Sequence, residues 1–170
     1  VEAIDRTAKK VLVRDLALGR EYEETYDKLI LATGAAPFRP PIPGIDLPGV
    51  FTLRNLQDTD RIKERVDRGV KQAVLLGGGF ISLEVAENFV RRGISTTVVE
   101  KNEQILTPFD KEMTTPIVQE LADKGVTLLL GQSSEAIEQT AEGLVVCLTS
   151  GQRLPAQLVI FGVGVHALPN

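Results

Sequence analysis

The sequence is poor in the groups that carry covalent redox chemistry. Its one cysteine, Cys147, excludes an internal disulfide and any Cys-pair redox centre within the chain. An excess of positive charge is also lacking. Nineteen Lys and Arg are interleaved with 23 Asp and Glu for a formal net charge of −4, whereas proteins that grip a phosphate backbone concentrate cations on one face. A nucleic-acid partner is therefore not expected. No apolar run approaches the roughly 20 residues needed to cross a bilayer. The opening Val1-Glu2-Ala3-Ile4-Asp5 has neither the basic start nor the apolar stretch of a secretory signal, so the expectation is a cytoplasmic protein with no membrane partner. There is no internal repeat and no low-complexity tract. The chain starts on Val in the middle of a strand pattern, and so reads as part of a longer protein.

What is present is an ordinary globular composition, 43% hydrophobic and 25% charged, well away from the disordered class. The 170 residues suffice for one full domain and part of another. Val11-Leu12-Val13, a turn at Leu18-Gly19-Arg20, and Glu21 to Tyr26 predict a small β-meander. Lys28-Leu29-Ile30-Leu31-Ala32, ending on Thr33-Gly34, predicts a short buried strand that stops at a turn. Pro37, Pro40, Pro41, Pro43 and Pro48 then exclude a continuing helix or inner strand, which makes this segment a connection between domains. The expected division is 1–50 and 51–170.

Beyond Phe51 strands alternate with helices, the signature of parallel βαβ units. Helices are expected at Leu56–Arg68, Phe80–Arg92 and Asp110–Lys124, and strands at Gln72–Leu76, Ser95–Glu100 and Val126–Leu130. Pro116 should kink the last helix or restart it with Thr115 as a new cap. Runs near Glu135–Gln139, Leu144–Leu148 and Gln152–Leu154, separated by Glu142-Gly143 and Ser150-Gly151, predict an antiparallel meander. A last apolar strand, Leu158–Phe161, ends in Gly162-Val163-Gly164. The fold class is α/β: a Rossmann-like parallel sheet with helices and a three-stranded antiparallel meander.

The most informative segment is Leu75-Leu76-Gly77-Gly78-Gly79-Phe80-Ile81-Ser82-Leu83-Glu84, where a buried strand enters a helix through a glycine turn, as a dinucleotide fingerprint requires. Gly77 permits the turn. Gly79 removes a side chain so that a pyrophosphate can approach the backbone, and the helix offers it unpaired N–H groups and the positive end of its dipole. Ser82 stands where glycine or alanine is usual, and is still small enough for close helix-to-sheet packing. The next strand ends at Glu100, about 20 residues on, where a carboxylate should accept hydrogen bonds from the adenosine ribose. Glu100 favours NAD(H) over NADP(H), because it repels a 2′-phosphate. Lys101 leaves NADP(H) open, since a cation there either is solvated or neutralises that phosphate.

These motifs resemble those of the FAD-dependent pyridine nucleotide-disulphide oxidoreductases, the two-dinucleotide flavoproteins. The resemblance is carried by Tyr26–Gly34, Gly77–Glu84 and Val159–Val165, in the family's order and spacing. Pro40-Pro41-Ile42-Pro43-Gly44 and Leu106–Met113 are most similar to the coenzyme A-disulfide and persulfide reductase branch and its NADH oxidase relatives. The resemblance implies an FAD domain interrupted by an NAD domain, with a C-terminal dimerisation domain, so that the full-length protein would be a homodimer. It implies a hydride passed from NAD(P)H to FAD and on to a disulfide, a persulfide or dioxygen. Phe80 falls at the family's aromatic gate over the nicotinamide site, Glu84 at a carboxylate near nicotinamide and flavin, and Gly162 at a close backbone approach to the nicotinamide end. Thr33 and Gly34 fall on the FAD side. The family's FAD glycine fingerprint, its redox cysteine, its later Gly-Asp segment and its dimerisation domain have no counterpart here. The chain alone is therefore expected to retain no FAD and not to turn over, and no catalytic or metal-binding residue is assigned within it.

Cys147, inside Val145-Val146-Cys147-Leu148 and far in sequence from any glycine turn, reads as a buried structural thiol. His166 reads as a loop residue in His166-Ala167-Leu168-Pro169-Asn170, where the family has the shorter Arg-Pro-Asn. Two alternatives stay open: a stand-alone module that senses NADH without turnover, and an NADP-linked flavoprotein of the ferredoxin-reductase or nitrite-reductase type.

Overall fold

The structure, a computed structural model, describes residues 1–168. The chain folds as two units, one of residues 1–36 with residues 166–168, the other Pro37–Val165.

In the first unit β1 (Ala3–Asp5), β2 (Lys10–Asp15) and β3 (Arg20–Thr25) form an antiparallel sheet. Asp15 builds its β2–β3 turn, with Oδ1 accepting from the N–H groups of Ala17 and Leu18 at 3.0 Å. The expected strand at residues 28–32 does not form. Ile30 and Leu31 are 87% and 65% exposed, because among the described residues no strand lies beside this segment to complete its ladder. Regular structure returns at β4 (Ala35–Pro37), which pairs with the last strand, β13 (Val165–Ala167). His166 is thus an exposed strand residue and not part of a loop.

The second unit is built on a five-stranded parallel sheet. Its strands are β5 (Val50–Thr52), β6 (Gln72–Leu76), β7 (Ser95–Val99), β8 (Thr127–Leu129) and β12 (Leu158–Phe161), in the order β5-β12-β6-β7-β8. Helices α1 (Leu56–Asp67), α2 (Phe80–Arg91) and α3 (Lys111–Asp123) carry the β5–β6, β6–β7 and β7–β8 crossovers. Asn55 starts α1 with a complete capping box, its side chain accepting from Asp58 N at 2.9 Å. Alternation along the buried strands supplies two cores. Ala73, Leu75, Val98 and Ile160 pack with Val66, Phe89 and Leu121 of the helices. Val74, Leu76, Val99 and Phe161 face Ile137, Val146 and Leu148 of an antiparallel meander formed by β9 (Ser134–Thr140), β10 (Gly143–Leu148) and β11 (Arg153–Ala156).

Two sequence expectations are corrected in this unit. Pro116 does not restart α3, which runs through it as one helix; Thr115 is helical, and its hydroxyl donates to the Lys111 carbonyl at 2.9 Å instead of capping. The proline-rich segment after Pro37 packs with the second unit, because Ile42, Ile45 and Leu47 join the meander-side core. The Ile137 N–H also donates to the Pro43 carbonyl at 2.8 Å.

Candidate functional site

The parallel sheet reverses its winding between β6 and β12: β7 and β8 add on one side, β12 and β5 on the other. Ligands of open α/β sheets gather at the carboxyl ends of the strands where this happens. Two glycine backbones abut there. Gly77 follows β6 with φ +104°, and a Cβ on it would stand 2.5 Å from the Gly162 carbonyl oxygen at the end of β12. A Cβ on Gly162 would in turn fall 2.2 Å from the Ser82 Oγ. Ser82 is fully buried, and its Oγ has no hydrogen-bond partner.

Gly79 behaves differently. A Cβ there would meet only the Gly162 oxygen, at 3.8 Å, so the space beside it is open. Gly79 is also the N-cap of α2, with no side-chain capping bond and no acidic residue in the first turn. The first N–H groups of the helix are thus free to receive an anion.

Glu100 ties this loop to the end of β7. Its carboxylate is buried at 8% exposure and accepts from Gly78 N at 2.5 Å, Asn102 N at 2.9 Å and Asn102 Nδ2 at 2.5 Å. A carboxylate offers about four acceptor positions, so one on Oε2 is left for a ligand hydroxyl.

Gly77, Gly78, Gly79, Phe80, Glu100, Lys101 and Gly162 together line a cavity of about 630 Å³, within the ordinary size of a small-molecule or cofactor site. Phe80 is 59% exposed and meets Phe109 edge to face, with ring centroids 5.9 Å apart.

The pyridine nucleotide-disulphide oxidoreductase family matches residues 1–170. The chain belongs to this family. It is 36% identical to an NADH oxidase of Enterococcus faecalis over 100% of this chain and 38% of that protein. It is 34% identical to a coenzyme A disulfide reductase of Staphylococcus aureus over 100% of this chain and 37% of that protein. Among solved structures, the water-forming NADH oxidase from Lactobacillus brevis bound to NADH superposes with a TM-score of 0.82 at 32% identity, covering 96% of this chain and 36% of that one. The chain thus spans less than two fifths of the length of these relatives.

Not every residue read from the oxidoreductase motif borders the cavity. Ile81 and Glu84 are exposed on α2 outside the lining, and Ser82 lies beneath it. Thr33 and Gly34 belong to the first unit, where the Thr33 hydroxyl donates to the Leu168 carbonyl. Pro169 and Asn170, which end the segment around His166, lie outside the described residues.

The sequence reading missed Asn102, Leu106 and Gln132, all of which line the cavity. Leu106 adopts a positive φ of +49° while its N–H donates to the Gly78 carbonyl at 2.9 Å. Gln132 carries no motif at all. It arrives through β8, and its N–H donates to the Glu100 carbonyl at 3.0 Å.

Cys147 lies on β10, away from the cavity. Burial pushes its thiol pKa up, the neighbouring Glu138 carboxylate adds to the rise, and the Arg153 guanidinium opposes it. The thiol stays protonated at neutral pH. At pH 8 a thiol-specific reagent should react with the native chain at least about tenfold more slowly than with the chain in denaturant, which a stopped-flow absorbance assay measures; equal rates would mean that the site opens freely.

Proposed function

We propose that the second unit is the NAD(H)-binding part of an FAD-dependent oxidoreductase, and that the full-length protein passes a hydride from NADH to FAD and on to a disulfide, a persulfide or dioxygen. The observation that carries this reading is the cavity at the switch point, where an open glycine, an uncapped helix start and a buried carboxylate stand in the order that a dinucleotide presents phosphate and ribose. The α2 N–H groups at Gly79 would hold the pyrophosphate. Glu100 would accept from an adenosine ribose hydroxyl on its remaining Oε2 position. The exposed Phe80 would cover the nicotinamide end beside Gly162, and Glu84 would lie one helical turn beyond. Nicotinamide supplies hydride chemistry when bound; the protein supplies position and exclusion of water.

In this reading residues 37–165 form the dinucleotide domain, and residues 1–36, with Thr33 and Gly34, belong to the flavin side. The exposed Leu29-Ile30-Leu31 run is consistent with a strand whose neighbours belong to that flavin domain. The full-length protein is proposed to be a cytoplasmic homodimer.

Preference for NADH follows from Glu100, since a 2′-phosphate would sit against a buried carboxylate, and like charges at close range cost more than one factor of ten in affinity. Calorimetric titration should give saturable NADH binding and NADPH binding at least about tenfold weaker. Absence of binding to either nucleotide would overturn the assignment.

A further inference from the structure

The cavity extends beyond the ribose position to a residue that no motif assigns. Pyrophosphate at Gly77–Gly79 follows β6, ribose at Glu100 follows β7, and Gln132 follows β8, the next strand in the sheet. Strand spacing is ~4.8 Å, so the end of β8 lies ~10 Å from the glycine turn, in the direction in which a ribose carries its base.

Gln132 is held there by its main chain: its N–H donates to the carbonyl of Glu100 at 3.0 Å. Its side-chain Oε1 is buried without a hydrogen-bond partner. An unpaired buried amide oxygen is unfavourable, and in native proteins such groups call for a partner. A carboxamide matches one nucleobase edge in particular. Adenine presents the N6 amino donor beside the N7 acceptor, and an Asn or Gln amide meets both at once.

We infer that Gln132 is a specificity residue that reads the N6/N7 edge of the adenine. This rests on the proposed NAD(H) assignment and extends it to the base. Hypoxanthine has a carbonyl oxygen in place of the 6-amino group, so it sets an acceptor against the Gln132 oxygen.

The test is calorimetric titration of the full chain with NADH and with nicotinamide hypoxanthine dinucleotide, for the wild type and for Gln132→Met. Methionine keeps the unbranched length and removes the unpaired amide, so the thermal midpoint should hold and report an intact fold. The wild type should bind NADH about tenfold more tightly than the hypoxanthine form. In Gln132→Met the two should bind within about twofold of each other, with the change arising mainly from weaker NADH binding. Should the wild type bind NADH yet fail to distinguish the bases, or the variant keep the wild-type ratio, the role of Gln132 is refuted and the NAD(H) site stands. Should neither nucleotide bind the wild type, the site and the inference fall together.

Discussion

Substituting alanine for Gly77 should cost the protein roughly 3 kcal/mol of stability, whereas the same substitution two residues on, at Gly79, should cost almost nothing and instead weaken NADH binding. The two glycines look equivalent in a fingerprint. Gly77 has a φ of +104°, and its Cβ would sit 2.5 Å from a main-chain oxygen of Gly162. Strain of about 1–3 kcal/mol for a side chain in that conformation adds to about 1–3 kcal/mol for backbone that must shift. For a chain of this size that lowers the thermal midpoint by about 10 °C.

Gly79 has a φ of −86°, open to any residue, and a Cβ on it would meet only the Gly162 carbonyl oxygen, at 3.8 Å. Alanine there should change stability by less than ~0.5 kcal/mol. Its methyl group would stand where phosphate oxygens approach the α2 N–H groups, and NADH affinity should fall at least about tenfold. Urea denaturation and calorimetry on both variants separate the roles. If Gly79→Ala binds NADH like the wild type, the open space beside it does not receive phosphate, and the turn serves only the fold.

Parts of this architecture were legible in the residues because they depend on local period and punctuation. Val74-Leu75-Leu76 running into three glycines, Gly93 and Gly125 behind helical spacing, and Glu142-Gly143 between strand patterns each act over a few residues, and the β6–α2–β7 unit and the meander follow from them. The failures share another cause. Leu29-Ile30-Leu31 has the composition of a buried strand, but a strand exists only where a partner strand lies beside it, and none does among the described residues. Pro116 breaks one hydrogen bond, yet Thr114 and Leu121 on the same helix are buried, so tertiary packing outweighs the local loss. In the site, Glu100 was readable because its distance from the glycines is set by one α/β turn of chain. Gln132 reaches the cavity only through the order of the sheet, which brings β8 beside β7, and no spacing along the chain encodes that.

Glu100→Ala should have two separable effects, and one affinity would confuse them. The carboxylate accepts the Gly78 N–H and two donors from Asn102. Its removal leaves the buried Gly78 N–H unpartnered, at about 1–3 kcal/mol, and loosens the loop that should hold the pyrophosphate. NADH and NADPH share that pyrophosphate, so loosening alone weakens both by the same factor. Repulsion of the 2′-phosphate acts on NADPH alone. The informative quantity is therefore the ratio of the NADPH and NADH dissociation constants, expected to fall from at least about ten to near one in the variant, alongside a stability loss of about 2 kcal/mol. A stability loss with an unchanged ratio would make Glu100 a fastener of the glycine loop and nothing more. Cofactor choice would then rest on other groups near the ribose, of which Lys101, the exposed cation on the cavity lining, is the first to replace.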